Sequence, residues 1–264
     1  MSIPALQVVT AETVAQRMEA LASRIRSAGA DPKRIKVVGV TKGFGPRVLA
    51  AASQAGISDF GENYAQELLG KAASAPKGAR WHFIGRIQRN KVRLLAPYVY
   101  LWQGVSRPEE GLEIARRAPR ARVLVEVAHS ASYGRTGCMP DQVPALVAYL
   151  RGLQLDVEGL MAVAPVPSRA VRGLVLDKGP IQGDKDTTFT PKACLEDLTE
   201  ARDAFRLTRS IADQLGLEVV SMGMSEDLEV AVEEGSTMVR VGRMLFGDRP
   251  MAAKGAISCE KGGN

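Results

Sequence analysis

Short apolar segments alternate with helical patterns along most of this chain, and that alternation restricts the fold more than any other feature. The segments with the length and apolar content of β-strands span 35–41, 57–60, 80–84, 99–105, 121–128, 155–163, 217–222 and 237–241. Two of them, 35–41 and 121–128, are apolar almost throughout, which is typical of strands buried on both faces of a parallel sheet. The pattern therefore predicts an α/β fold.

Segments with apolar residues at helical spacing separate the predicted strands. Examples are 46–55, 63–73, 108–118, 140–151, 195–215 and 225–234. Eight strands with helices between them predict a single (β/α)8 TIM barrel over residues 1–264, and this length suits one domain. A doubly wound open sheet is the alternative, and the strand count favours the barrel.

One helix more than the barrel needs is predicted at the start of the chain, over 10–28. After Phe246-Gly247, the tail has only a weak helical pattern, so we expect the eighth helix of the barrel to be short or missing. The N-terminal helix can cover the gap that this leaves.

The segment 165–195 interrupts the alternation with glycine, proline and mixed charge. It is too long for an ordinary connection between a strand and a helix. It is therefore either a mobile loop over the barrel mouth or disordered. Because it follows a predicted barrel strand, we expect it on the face where barrel active sites lie.

Composition argues against several classes of protein. A formal net charge of +6 permits a nucleic-acid partner, but the charges are spread out and no basic block interleaves with aromatic residues. No apolar stretch is long enough to span a membrane, and no signal peptide is recognised, so we expect a cytoplasmic protein. Three widely spaced cysteines, Cys138, Cys194 and Cys259, favour reduced thiols over disulfides or a zinc site.

Lys42 directly follows the predicted strand 35–41 and precedes a glycine. An amine at the carboxyl end of a buried strand is a candidate for forming an imine with an aldehyde, because partial burial lowers its pKa. A lysine that merely ends a strand is the alternative interpretation.

A glycine-rich turn lies between the seventh predicted strand and the helix that follows it. Its sequence is Ser221-Met222-Gly223-Met224-Ser225. Gly223 permits a tight turn and Ser225 is a suitable N-cap, so this turn predicts an anion site, although a capped helix without a ligand is the alternative. Gly242, one strand later, can add its amide to the same anion, since phosphate sites of barrels often use the last two loops.

An imine-forming amine and an anion site together predict a ligand with an aldehyde at one end and a phosphate at the other. Pyridoxal 5'-phosphate fits that description. Arg240 would then lie beside the pyridine nitrogen or bind the phosphate. Asn63 is a candidate for hydrogen bonding to the ring hydroxyl. His82 can line the pocket or be structural, and Met161 is expected to pack rather than react.

These motifs resemble those of the pyridoxal phosphate homeostasis proteins, the YggS family of bacteria. The matching motifs are Val40-Thr-Lys42, Phe60-Gly-Glu-Asn-Tyr64, Trp81-His-Phe-Ile-Gly85, Gln88-Arg-Asn-Lys91, Gly159-Leu-Met161, Ser221-Met-Gly-Met-Ser225 and Gly235-Ser-Thr-Met-Val-Arg-Val-Gly242. The resemblance implies a barrel of the alanine racemase N-terminal-domain type with the cofactor as an imine on Lys42. It also implies a mainly monomeric cytosolic protein that carries or buffers the cofactor, without established turnover, and that can supply apo enzymes.

A fold-related amino-acid racemase is the alternative. Such an enzyme needs a second base on the opposite face of the cofactor, a tyrosine from a C-terminal β-domain. The tyrosines here are Tyr64, Tyr98, Tyr100, Tyr133 and Tyr149. All of them precede the last predicted strand, so two-base racemisation is not favoured. An adaptor for nucleic acid or protein would need a basic stripe that the sequence lacks.

Overall fold

A closed barrel of eight parallel strands forms the centre of the molecule, and each strand pairs with the next in chain order. The computed structural model describes residues 9–129, 137–165 and 195–249. The strands are β1 (Lys36–Val40), β2 (Asp59–Glu62), β3 (Arg80–Phe83), β4 (Val99–Val105), β5 (Arg122–Val127), β6 (Asp156–Ala162), β7 (Val219–Ser221) and β8 (Met238–Val241). β8 pairs with β1 and closes the ring. The predicted (β/α)8 barrel is confirmed, and the doubly wound sheet is wrong.

Helices cover the outside of the barrel. In the described ranges they are α1 (Ala11–Ser27), α2 (Arg47–Gln54), α3 (Ala65–Ala72), α4 (Arg89–Leu95), α5 (Pro108–Arg117), α6 (Val143–Gly152), α7 (Leu195–Gln214), α8 (Leu228–Glu233) and α9 (Arg243–Phe246). Most begin and end within about three residues of the predicted bounds, the usual uncertainty of such boundaries.

The N-terminal helix α1 fills the place where the eighth barrel helix would lie. It begins after the N-cap Thr10, whose side chain accepts a hydrogen bond from the Thr13 amide at 3.2 Å. It packs against α2, α8 and α9 and buries Val14, Leu21 and Ile25. α9, which follows β8, has only 4 residues. The expected short eighth helix and covering N-terminal helix are both confirmed.

Two groups of apolar side chains stabilise the barrel. Val38, Leu101, Leu124, Met161 and Met238 form a small cluster. These residues come from five strands, several of them not adjacent, so their side chains can meet only inside the barrel. A larger cluster fills the space between the strands and the helices. Parallel strands covered on both faces in this way leave their carboxyl ends to form a site.

Part of the chain lies outside the described residues. This applies to 166–194, which holds nearly all of the predicted loop segment 165–195, and also to Cys194 and Cys259. Cys138 is a buried free thiol. In the ranges that the structure describes, no helix is long and apolar enough to cross a membrane.

Candidate functional site

A cavity of ≈ 490 Å³ opens at the carboxyl ends of the barrel strands, and this volume is typical of small-molecule sites. It brings together five of the residues that the sequence singled out: Lys42, Asn63, Ser225, Arg240 and Gly242. The other residues that line it are Val40, Phe44, Ile84, Val163, Ala164, Pro165, Met224, Glu226, Asp227, Arg243 and Arg249. The cavity therefore collects residues from distant parts of the sequence.

Lys42 lies two residues beyond the end of β1 and is half-buried. Burial lowers the pKa of its amine, and the nearby charges of Arg249 and Arg240 lower that pKa further. Glu62 and Glu67 oppose this effect, and the net direction is downward. The amine is therefore unprotonated more often at neutral pH than the amine of an exposed lysine.

The glycine-rich turn after β7 shapes another part of the cavity wall. Gly223 has a φ of +94°, and a Cβ at this position would lie 2.6 Å from the Cβ of Ala231, so the turn requires glycine. Ser225 lines the cavity but does not cap the helix. The N-cap is Asp227, whose side chain instead accepts a hydrogen bond from the Met224 amide at 2.5 Å. The helix predicted over 225–234 therefore begins three residues late.

Gly242 directly follows β8 and lies next to the end of the neighbouring strand β1. A Cβ at Gly242 would lie 3.2 Å from the Val40 carbonyl oxygen, closer than most side chains approach a neighbour. Arg243 also lines the cavity and pairs with Glu226 at 2.6 Å on the exposed rim. This part of the cavity thus combines close backbone approaches at Gly223 and Gly242 with the exposed Arg243.

Arg240 has a buried guanidinium whose direction is fixed by hydrogen bonds. Its Nη1 donates to the carbonyl oxygen of Ser221 at 2.7 Å and to the hydroxyl of Ser221 at 2.8 Å, and its Nη2 donates to the Ala162 carbonyl at 2.8 Å. Burial lowers the pKa of Arg240 to about 10. The side chain therefore brings a firmly oriented positive charge to the wall of the cavity.

A line of hydrogen bonds continues from Arg240 through the barrel interior. The Ser221 hydroxyl donates to Gln103 Oε1 at 2.7 Å, and Gln103 Nε2 lies 2.8 Å from His82 Nδ1. Because an amide NH2 only donates, Nδ1 accepts and the Nε2–H of His82 donates to Asp59 Oδ1 at 2.8 Å. We call Ser221, Gln103, His82 and Asp59 the interior relay.

The charged member of the interior relay is Asp59, at the end farthest from the cavity. Burial lowers the pKa of His82, so its ring is neutral. Although burial opposes it, hydrogen bonds from His82 and Arg80 lower the pKa of Asp59. Arg80 donates to Asp59 Oδ2 at 2.6 Å. Each donor of the interior relay therefore has an acceptor, and each hydrogen bond is donated in the direction that leads from the cavity to the Asp59 carboxylate.

Five of the residues predicted for the site lie outside the cavity lining: His82, Met161, Ser221, Met222 and Gly223. His82 and Ser221 belong to the interior relay. Met161 packs in the small cluster inside the barrel, as expected of it, and Met222 is buried in the larger cluster. Gly223 shapes the turn. Their contribution to the cavity is thus indirect.

Sequence reasoning missed Arg249, Ile84, Asp227 and Gln103. A glutamine in the otherwise apolar segment 99–105 was a signal for a polar contact inside the barrel. Arg249 had no such signal, because it follows the last predicted strand in a segment of weak pattern. It lines the cavity beside Lys42.

The fold and the site define a class of protein. The family described as alanine racemase, N-terminal domain, matches residues 15–250 of this chain. That range includes every strand of the barrel and every residue of the cavity lining. Solved alanine racemases share the fold, since the barrel superposes on alanine racemase from Clostridium difficile with a TM-score of 0.63 at 14% identity, covering 89% of this chain and 57% of that one.

Within that class, the chain belongs to the pyridoxal phosphate homeostasis protein family. It is 35% identical over 256 residues to the protein of that name from Pseudomonas aeruginosa, covering 91% of this chain and 98% of the relative. It is 34% identical to the protein of that name from Deinococcus radiodurans, covering 93% of this chain and 100% of the relative. The resemblance found in the sequence motifs is confirmed.

One solved structure that the barrel resembles contains a ligand. The barrel resembles PipY of Synechococcus elongatus, solved with pyridoxal phosphate bound, with a TM-score of 0.65 and 25% identity. The match covers 89% of this chain and 100% of PipY. PipY without the cofactor matches with a TM-score of 0.70.

Proposed function

We propose that this protein binds pyridoxal 5'-phosphate through an imine on Lys42 and carries or buffers the cofactor. The observation that carries the proposal is a half-buried amine of lowered pKa in the same cavity as two narrow glycine turns and a buried arginine. Relatives named for pyridoxal phosphate homeostasis and the cofactor-bound PipY support it.

An unpartnered polar atom in the cavity wall fits the cofactor. Asn63 Oδ1 is buried and has no hydrogen-bond partner within the described part of the chain. Such an atom costs free energy unless a ligand supplies a donor. Asn63 lines the cavity together with Lys42, so a ring hydroxyl near the aldehyde would fill this role.

The chain's own residues bind, orient and shelter the ligand. When bound, the cofactor would supply an aldehyde that condenses with an amine, the aldehyde oxygen leaving as water. Lys42 provides that amine in its unprotonated form, as its lowered pKa favours. Ser225 and Gly242 line the side where the phosphate would bind, and Phe44 and Ile84 supply apolar surface.

Arg240 has two possible roles in this arrangement. A permanent cation beside the pyridine nitrogen would keep that nitrogen unprotonated and weaken the ring as an electron sink. The same cation could instead bind the phosphate. Of these, the contact with the ring suits a carrier better, because a weak electron sink disfavours turnover.

We infer a carrier rather than a catalyst. In the ranges that the structure describes, no tyrosine lines the cavity, so a second base of the racemase kind is not provided there. Apo forms of pyridoxal phosphate enzymes are the partners that a carrier would supply. The monomeric state and the lack of a nucleic-acid partner stay predictions.

Loading and transfer experiments test the proposal. Purified protein incubated with pyridoxal 5'-phosphate should develop an imine absorbance band that borohydride or hydroxylamine removes. The loaded protein should then restore activity to an apo enzyme, and an alanine racemisation assay should show no turnover above background. Absence of an imine band would contradict binding, whereas efficient racemisation would establish the racemase alternative instead.

A further inference from the structure

The residues on either side of Lys42 are held by side chains from β2 and α3. The Thr41 hydroxyl donates to Glu62 Oε1 at 2.6 Å, and the Thr41 carbonyl accepts from Lys71 Nζ at 2.7 Å. On the other side, the Gly43 amide donates to Glu67 Oε2 at 2.7 Å. The backbone is therefore fixed one residue before and one residue after the amine-bearing position.

Lys71 connects these contacts into one unit. Its ammonium donates to Glu62 Oε1 at 2.5 Å and to Glu67 Oε2 at 2.9 Å, in addition to the Thr41 carbonyl. The three donors of the ammonium thus have three acceptors. Lys71 is 4% exposed and Glu62 is 0% exposed. We call Glu62, Glu67 and Lys71 the Lys71 clamp.

The Lys71 clamp is difficult to explain by stability alone. Removing charged groups from water costs several kcal/mol per ion, and apolar residues of similar size often stabilise such a site as well or better. Glu62 in addition leaves Oε2 buried and without a hydrogen-bond partner among the described residues. A costly arrangement of this kind is best explained by the geometry that it fixes.

The clamp residues do not touch the space where a ligand would lie. Lys71 is on α3, outside the barrel, and Glu62 points toward it from the last position of β2. None of the three lines the cavity. Any effect on a bound cofactor must therefore pass through Lys42 and its neighbours.

Charge gives the clamp a second influence on Lys42. Glu62 and Glu67 raise the pKa of Lys42, while burial, Arg249 and Arg240 lower it. Lys71 lies between the two carboxylates and offsets part of their negative charge. Without it, both carboxylates would raise the pKa of Lys42 further and so favour the protonated, unreactive form of its amine.

We propose that Lys71, with Glu62 and Glu67, positions Lys42 for imine formation. The three are positioning residues rather than imine-forming ones, and the proposal rests on the proposed function of Lys42. The wild-type protein tests that function by itself, since it either forms an imine or does not. The clamp is tested by how variants change the rate of that reaction.

The first test compares Lys71→Met with Lys77→Met, which removes an exposed lysine from the same part of the chain. The rate of imine formation is measured by rapid-mixing absorbance. Affinity is measured separately for pyridoxine 5'-phosphate, which has an alcohol in place of the aldehyde and forms no imine. We expect Lys71→Met to slow imine formation by about tenfold or more, since small misplacements of reacting groups have large effects.

Affinity for pyridoxine 5'-phosphate should stay within about twofold of wild type in Lys71→Met, since its binding needs no correctly placed amine. Lys77→Met should change neither quantity. An unchanged imine rate in Lys71→Met would overturn the proposal. Equal losses of imine rate and of pyridoxine 5'-phosphate affinity would also overturn it, because they would show a general structural role.

A second pair of variants decides the matter if Lys71→Met does not fold. Glu67 is 30% exposed, so replacements there are tolerable. Glu67→Gln keeps an acceptor for the Gly43 amide, and Glu67→Ala removes it. We expect Glu67→Ala to form the imine several-fold more slowly than Glu67→Gln. Equal rates in the two variants would overturn the clamp, even if the wild type forms the imine as proposed.

Discussion

Lys42 and Arg240 are two basic side chains in one cavity, and the cavity lowers the pKa of both. The pKa of each is lowered, chiefly by burial. Arg240 remains charged at neutral pH because its pKa is still about 10. The pKa of the Lys42 amine lies below its ordinary value, and the charge of Arg240 is one of the causes. A permanent cation thus helps to keep a neighbouring amine reactive.

The pH dependence of imine formation should report the lowered pKa of Lys42. Only the unprotonated amine attacks an aldehyde, so the rate rises as the pH rises through that pKa. Since the pKa of Lys42 lies below the ordinary value of 10.5, the rise should occur at lower pH than for the side-chain amine of Nα-acetyl-lysine. Rapid-mixing absorbance over neutral to alkaline pH measures both. Coincident profiles would show that the cavity does not perturb the amine.

Gln103 should matter to stability beyond its size, because it joins two halves of the interior relay. Gln103→Leu leaves the Ser221 hydroxyl without its acceptor and His82 Nδ1 without its donor, so we expect a loss of about 1–3 kcal/mol in the free energy of unfolding. Gln54→Leu, at an exposed position of α2, should change it by less than about 0.5 kcal/mol. Urea unfolding measures both, and equal effects would contradict the relay.

At the scale of single residues, the sequence predicted those that lie at strand ends. Lys42, Asn63 and Gly242 each follow a barrel strand, and parallel strands bring such positions to one face. Glu62 and Lys71 were not predicted, because a charged residue on a strand or a helix is normally interpreted as solvent-facing. Their burial depends on each other, and nothing local in the sequence shows that pairing.

Among the elements, α1 does more than cover a gap. Arg24 donates from Nη1 and Nη2 to the carbonyl oxygen of Ser225, each at 3.1 Å, and pairs with Glu229 of α8. The turn that shapes the phosphate side of the cavity is therefore braced from outside by the N-terminal helix.

Loss of this brace should weaken phosphate recognition selectively. Arg24→Ala should raise the dissociation constant of pyridoxal 5'-phosphate by roughly fivefold, since one such hydrogen-bonding group contributes about 1 kcal/mol. The change for pyridoxal, which lacks the phosphate, should be smaller. Arg26→Ala, which removes an exposed pair with Glu19, is the control. Equal losses for the two ligands, measured by equilibrium titration, would contradict the brace.

Elements with long apolar patterns were predicted well, and short ones were not. β2 begins two residues after its predicted start, because Ile57 is buried among the helices rather than in the barrel ladder. α4 was given no bounds from the sequence, since it buries only Val92 and Leu95 and so lacks a clear apolar stripe. β7 has only 3 residues, fewer than its apolar segment suggested.

At the scale of the whole molecule, a line of hydrogen-bonded polar side chains crosses the otherwise apolar interior of the barrel. The polar residues of the interior relay lie beside the apolar cluster of Val38 and Leu101, and Gln103 Nε2 lies 3.2 Å from the sulfur of Met238. The cavity at one end of the barrel is thus connected to the Asp59–Arg80 pair at the other. We therefore expect ligand binding at the cavity to change the free energy of unfolding of the whole protein.

Cofactor binding should stabilise the folded protein in a manner that depends on Lys42. At a free concentration of one hundred times the dissociation constant, a ligand adds about 2.7 kcal/mol to the free energy of unfolding. At the same concentration, Lys42→Ala should gain much less, because the covalent contribution is lost. Pyridoxine 5'-phosphate should stabilise both proteins alike. If pyridoxal 5'-phosphate also stabilises both alike, Lys42 does not form the imine.

The most direct measurement locates the covalent bond itself. The protein loaded with pyridoxal 5'-phosphate is reduced with borohydride, digested and analysed by mass spectrometry. We expect a phosphopyridoxyl group on the peptide that carries Lys42, and none on peptides that carry Lys36 or Lys71. A label on another lysine, or no label at all, would contradict imine formation on Lys42.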